Sequence, residues 1–541
     1  MWVLSCCLFL FPFALTACGK PAGEKNAKTG KPKKEDPPIL QSVEMGAGRT
    51  TVYKSKDPNS PVSFTVRWEK GGFKADKEGI DTGHLTTVSG DLYSNGKKSS
   101  DYQADRGDAD KDKKRLTMTG DVTLRSADGK GTLTSPKAEY RGDVGLVRAM
   151  GGVTAKGSFG TLSGVPEVWA TPDLKTIGTP DMVSKSLKLP ALVALAATAA
   201  TGSARLQGDN YGAKGVASTK IENLAAGRRL TLVPSPGTPI VVTLQNRGLV
   251  FRFSSPVVVD FAAKGTDVRH MTSSGTVNVV QTAKGGVTTI DGRSPEYDWK
   301  PGAATADLDL DGPVKIVQTT KVKNAKGALV PQTTTTKGDK GRAVLINKPA
   351  PDQDGLKSAT LSGNVTIDVS EVDGQAFSGS GSRLVYTPSG ETAGVEIGGR
   401  TRIVSESKTE SGSRTVISQG NRASATLVSD PAAGTNPLKN AVLDGDVTID
   451  VTGSNGDTFK GSGDRIVYSA VGAGARAVMT GALKFFGDVE KYVGNLTDAD
   501  TAVMMISQKG WETIETSNSG GKPTTTTIEK KPQPKKQGGS R

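Results

Sequence analysis

The chain has 541 residues, with 69 Lys and Arg against 55 Asp and Glu and a formal net charge of +14. Glycine is abundant at 67 residues, aromatic residues make up only 5%, and histidine occurs twice, at His84 and His270. All three cysteines fall within the first 18 residues, which argues against His-ligated zinc, a cysteine cluster, a disulfide framework and a Ser-His or Cys-His catalytic site.

Residues 1–17, MWVLSCCLFLFPFALTA, are apolar and uncharged. The run is shorter than the ~20 residues that span a bilayer and has the length of a secretory signal. Leu15-Thr16-Ala17-Cys18 resembles a bacterial lipobox. That resemblance implies cleavage before Cys18 and acylation of its thiol, and two or more acyl chains hold a protein stably on a membrane. Residues 18–45 are rich in Lys, Gly and Pro and read as a flexible tether, and 516–541 as a disordered basic tail. These ends carry much of the positive charge, so the body is only mildly basic. Such tails suit anionic headgroups or peptidoglycan. Basic residues do not interleave with aromatics, so nucleic acid is not an expected partner.

The body repeats itself. Residues 359–386, ATLSGNVTIDVSEVDGQAFSGSGSRLVY, and 441–468, AVLDGDVTIDVTGSNGDTFKGSGDRIVY, align without gaps at 16 identical positions of 28. Weaker copies occupy 116–140 and 271–297. The unit is a Gly-x-Val opening, an alternating strand, a glycine turn, a second strand and a tyrosine. In the strand from Leu361, residues Leu361, Val365, Ile367 and Val369 share one face, and Ser362, Asn364, Thr366 and Asp368 the other. This period of two marks half-buried strands, and glycines at fixed strand positions mark bulges or sharp bends. The fold class is therefore all-β, built of antiparallel sandwich or half jelly-roll modules. One short helix is expected at Ala191–Ala200, between β modules.

These units resemble the OstA-like repeat of the periplasmic bridge proteins of lipopolysaccharide transport, the Lpt system. FTVRWEKGGF, LTMTGDVTLRSADGKGTLTSPKAEY and VRAMGGVTAKGSFGTLSG, in that order, make residues 46–185 similar to an LptC-type domain. A connecting β region follows at 186–260, then an OstA-like module at 261–345 and tandem OstA-like repeats at 346–515 that resemble the soluble LptA-type bridge. The resemblance implies a half jelly roll opening into a groove, no catalysis and no cofactor. It implies acyl-chain binding of lipopolysaccharide or another glycolipid, partners of the same kind joined by strand addition, and a periplasmic place on the inner or outer membrane of a diderm bacterium. The inward residues Val122, Leu124, Val365, Ile367, Val447 and Ile449 are the candidate groove lining, and Cys18 the membrane attachment. The plainer reading of any one of the six is that it fills a closed core.

Two other readings of the body remain. One is a non-catalytic envelope scaffold that binds glycans or peptidoglycan. The other is a carbohydrate-active enzyme, for which no carboxylate pair stands out. Asp307-Leu-Asp309-Leu-Asp311-Gly312 begins like a calcium loop, but its twelfth position is Gln318 and its leucines alternate as in a strand. Asp108-Ala-Asp110-Lys-Asp112 reads as a charged loop, His84 and His270 as surface residues, and Trp68, Trp169, Tyr140, Tyr297, Tyr386 and Tyr468 as packing anchors at strand ends. No metal site is expected.

Overall fold

The computed structural model describes residues 43–186, 204–518 and 525–530, apart from short stretches at 56, 58, 77–78, 226, 264, 284–285, 324–325, 351–352, 373–374, 390–391, 410–411, 429–437, 455, 472–473, 490–491 and 508–509. Cys18 and the signal, most of the tether, the helix expected at 191–200 and most of the expected tail lie outside the described residues. The described residues form thirty-five strands in an antiparallel arrangement. The alternation read from the sequence is the cause. Along Arg115–Ser126, Leu116, Met118, Val122 and Leu124 are buried, while the threonines between them are partly exposed.

Each long strand bends once, and its two halves enter different sheets. In Leu356–Val372, the first half pairs with Lys340–Ile346 and the second with Leu329–Gly338. The bend falls at Gly363, whose φ of +92° is open to glycine and strained for other residues. The register against the next strand slips between Ser362 and Val365. Gly120, Gly399, Gly445 and Gly481 occupy the same place in their strands, all with positive φ. A short polar side chain of the preceding strand covers each of them: Asp105, Ser382, Asn421 and Asp464, with Asp339 over Gly363. At that last corner Asp339 Oδ2 accepts hydrogen bonds from the Asn364 backbone N–H and from Asn364 Nδ2, both at 3.1 Å.

Between Gly160–Ala170 and Leu356–Val372 most corners are breaks, so the halves are separate strands. Gly286–Arg293 and Pro295–Asp298 meet at Ser294, and Leu329–Gly338 and Lys340–Ile346 meet at Asp339. The two ladders continue regardless. Sheet A passes through Ile240–Leu244, Leu249–Phe253, Thr276–Ala283, Gly286–Arg293, Val314–Lys323 and Leu329–Gly338. Sheet B passes through Gly227–Pro234, Val257–Phe261, Val268–Ser273, Pro295–Asp298, Thr305–Leu310 and Lys340–Ile346. Residues from the expected connecting region, 204–260, thus belong to both sheets. One buried apolar cluster runs between the sheets from Val52 to Met504.

Two elements differ from expectation. A short helix, Pro180–Ser186, puts Val183 against Leu146 and Trp169 in a small separate cluster. Thr525–Lys530, inside the expected disordered tail, is a strand paired with Tyr492–Ser507. Its β-branched threonines favour pairing once an open strand edge is available.

At the N-terminal end of sheet A, Asp91 is nearly buried and joined to Lys98 at 2.6 Å, Arg67 at 3.3 Å and Thr65 Oγ1 at 3.3 Å. Burial alone would raise its pKa, but the Lys98 hydrogen bond and charge, with Arg67 and Thr65, outweigh it and hold the carboxyl below its usual range. A depressed carboxylate contributes stability above its unfolded pKa of about 3.9, and that stability is lost as pH falls through the folded value. Asp91→Asn is therefore expected to lower the melting temperature at pH 7, with the gap to the parent closing as pH drops below about 4. Melting curves across pH check this. Gly363→Ala is expected to cost roughly 1–3 kcal/mol through its backbone conformation, with a further cost because the new Cβ would meet the Asp339 side chain, read by denaturant unfolding, while Gly302→Ala, at a φ-positive position in open space, serves as the control for backbone strain without crowding.

Candidate functional site

The candidate site is the space between the two sheets. All six proposed lining residues lie on the inner face of sheet A, Val122 and Leu124 on Arg115–Ser126, Val365 and Ile367 on Leu356–Val372, and Val447 and Ile449 on Leu438–Gly453. Five are at most 1% exposed and Ile449 is 5% exposed. The structure brings them into one packed interior. Sequence reasoning missed how glycines shape it. Val365 and Ile367 stand opposite Gly381 and Gly379, and Val447 and Ile449 opposite Gly463 and Gly461. Without side chains there, Ile397 of sheet B reaches over Gly379 to Ile367, and Phe485 lies over Gly461 beside Ile449. The Gly-Ser-Gly of each repeat was the visible signal for this.

Aromatic rings bind the sheets face to face. Phe64 and Tyr140 pack edge-on with centroids 5.7 Å apart, Tyr211 and Phe261 are 4.8 Å apart, and Phe251 and Tyr297 are 5.3 Å apart. Tyr140, Tyr297 and Tyr386 are buried, as expected for packing anchors, and each hydroxyl finds a partner on or near the opposite sheet. Tyr386 Oη donates to Gln318 Oε1 at 2.7 Å, and Arg247 Nη1 donates to the Tyr297 hydroxyl at 2.5 Å. Burial pushes these phenols up, most strongly Tyr386.

Polar groups at the strand tips tie the sheets across the edge opposite the glycine corners. Arg228, on sheet B, donates to the carbonyls of Ser158 and Gly265 and lies over the Phe261 ring. Arg247, in the turn Gln245–Arg247 of sheet A, is 3% exposed and stacks 3.9 Å from the Trp299 ring centroid. Gln281 Nε2 donates to the Ile346 carbonyl at 2.8 Å, and Gln318 Nε2 to Asp354 Oδ1 at 3.0 Å. Burial raises the Asp354 pKa, with Gln318 opposing it. These ties cross the full depth between two sheets and join residues up to 70 apart in sequence, so no local pattern announces them.

The remaining chemistry is structural. Asp307 and Asp309 point outward from Thr305–Leu310, whose Leu308 and Leu310 are buried, and both face Arg342, Asp307 at 2.8 Å and Asp309 at 3.9 Å. His270 sits between Asp298 at 3.5 Å and Glu296 at 3.9 Å. His84 meets the Asp108 carboxylate on the surface. Asp110 caps a turn by accepting from the Lys113 backbone N–H at 2.9 Å. Among the described residues, no three His, Cys, Asp or Glu side chains converge to hold a metal ion, and no helix is long and apolar enough to cross a membrane.

Two facing antiparallel sheets, bent from shared strands around an apolar interior, define an all-β protein of half jelly-roll type. Residues 76–166 match the family described as Lipopolysaccharide-assembly, LptC-related, so the chain contains an LptC-related domain. The repeats after residue 166 fall outside that match. No curated protein matches the chain. Among solved structures, a chain titled Crystal Structure of TcdB2-TccC3-TEV aligns at 9% identity and a TM-score of 0.07. The alignment covers 87% of this chain but only about a third of that one, 34%, and at such a score it carries no argument.

Removing the Arg247 tie tests how the sheets are held together. Arg247→Ala is expected to cost about 2 kcal/mol, combining a lost cation–π contact and a buried hydrogen bond. Amide exchange should rise at Ile240–Phe253 and Pro295–Leu310 and remain unchanged at Arg115–Gly157.

Proposed function

We propose that this protein is a non-catalytic section of a lipopolysaccharide or glycolipid transport bridge in the envelope, holding acyl chains between its two sheets. The observation that carries this is the continuity of the build. The strands of the LptC-related domain hand both ladders and the apolar interior on to the repeats without a break. An interior of aliphatic and aromatic side chains takes methylenes out of water at roughly 0.8 kcal/mol each. No polar side chain dominates it, so a chain can shift along it without being trapped. The ties at the tips would have to yield where lipid enters. Acylation of Cys18 would place the path on a membrane and the tether would give it reach.

A photo-crosslinking residue placed at Ile367 in the full chain, expressed in its native envelope, is expected to capture lipopolysaccharide. The same residue at outward Asp368 should capture none. Equal capture at the two positions, or none at either, removes the acyl-path reading.

A further inference from the structure

The outer face of sheet A carries a second feature that the lipid path does not use. Register partners place Arg252, Lys315, Lys337, Arg402 and Lys484 in one outward row that crosses the sheet strand by strand. With strands ~4.8 Å apart, Lys315 and Lys337 are neighbours, Arg402 stands about 14 Å further on and Lys484 about 19 Å beyond that. Apart from Arg402, the positions between Lys337 and Lys484 hold only hydroxyl and amide side chains, such as Thr366, Ser380 and Gln419.

Asp291 stands in the row itself opposite Lys315, and Asp339 and Asp450 lie beside it. Asp291 accepts from Asn278 Nδ2 at 2.7 Å, Asp339 from Asn364, and Asp450 pairs with Lys460 at 3.3 Å. Among the described residues, Lys315, Lys337, Arg402 and Lys484 have no ion-pair partner. Two clefts lie on this row. One, of about 600 Å³, is lined by Arg252, Arg293, Lys315 and Lys337 with Asp291 and Asp339, and the other, of about 500 Å³, by Arg402, Lys460 and Lys484 with Asp450, so cations outnumber carboxylates in each.

We propose that this row binds a phosphorylated glycan, with phosphate groups on Lys315 with Lys337 and on Arg402, and sugar rings against the hydroxyl and amide side chains between them. The spacing selects the partner. Cations set singly, with uncharged hydrogen-bonding groups between, fit a neutral polyol bearing phosphates at intervals. A nucleic acid backbone, with a charge every few ångströms, would leave most of its phosphates without a cation. The row faces away from the interior, so this site does not depend on the acyl path.

The test uses the full chain and a probe without acyl chains, the phosphorylated core oligosaccharide released from lipopolysaccharide by mild acid. Titration calorimetry should show binding that weakens with salt. Affinity should fall at least tenfold for the phosphatase-treated oligosaccharide, and at least tenfold for Lys315→Gln/Lys337→Gln with the parent probe. These side chains are exposed, so an unchanged melting temperature confirms that the double variant is folded. Equal binding of the treated and untreated probe, or of variant and parent, overturns the proposal. Tighter binding of polygalacturonate, or of phosphatidylglycerol vesicles, overturns it in favour of a carboxylated glycan or a membrane. Because the probe has no acyl chain, failure here leaves the acyl-path reading standing.

Discussion

The corner glycine is the constraint from which the structure follows. At Gly363 the chain takes a backbone conformation that bends a seventeen-residue strand and slips its register against the next strand by one residue. The alternation itself survives the bend. Leu361 before the corner and Val365 and Ile367 after it all point inward. One strand can therefore present a single apolar face to a common core while its halves belong to two sheets. Repeating the corner at the same place in successive strands stacks the bends, and two facing sheets grow together. A flat continuous sheet of such strands would expose its apolar face, and the bend removes that exposure within the strand itself.

The short polar residue over each corner completes the arrangement. A glycine leaves its backbone open to water and to neighbours, and Asp105, Asp339, Ser382, Asn421 and Asp464 fill that space. At the Asp339 corner the carboxylate also accepts the N–H that the broken ladder would leave unpaired. Corners that are breaks rather than bulges, such as Ser294, give up the continuous strand but keep the crossing. Sheet continuity is therefore more robust than strand continuity.

Strand type, alternation and repeat were legible because they are local. Val365, Ile367, Val447 and Ile449 announce their inward face within a few residues, and Gly363 and Gly445 announce a bend. What a local pattern cannot carry is which sheet a half-strand joins. Leu356–Val372 reads as one long strand, and only its partners on either side of Gly363 reveal two. For the same reason residues 204–260 read as a connection, although their strands extend both ladders. Arg228 and Arg247 were invisible as interior groups, since an arginine in a strand tip ordinarily faces water. Only the arrival of Tyr297, Trp299 and the Ser158 carbonyl from distant segments makes them structural.

The interior is not uniform along its length. Around residues 211–297 it is filled by Tyr211, Phe251, Phe253, Phe261 and Tyr297, with guanidinium ties at the tips. Rings that interlock across both sheets move only together, and the buried cations hold them from outside. From residue 379 onward alanines such as Ala423, Ala441 and Ala477 are mixed with larger side chains such as Ile397, Leu443, Ile449, Phe485 and Met504, some of which reach across the glycines. Phe485, which lies over Gly461, also stacks on Phe459 with ring centroids 5.4 Å apart. The two sections therefore differ in what holds them: interlocked rings and guanidinium ties in one, mostly aliphatic packing across glycines in the other.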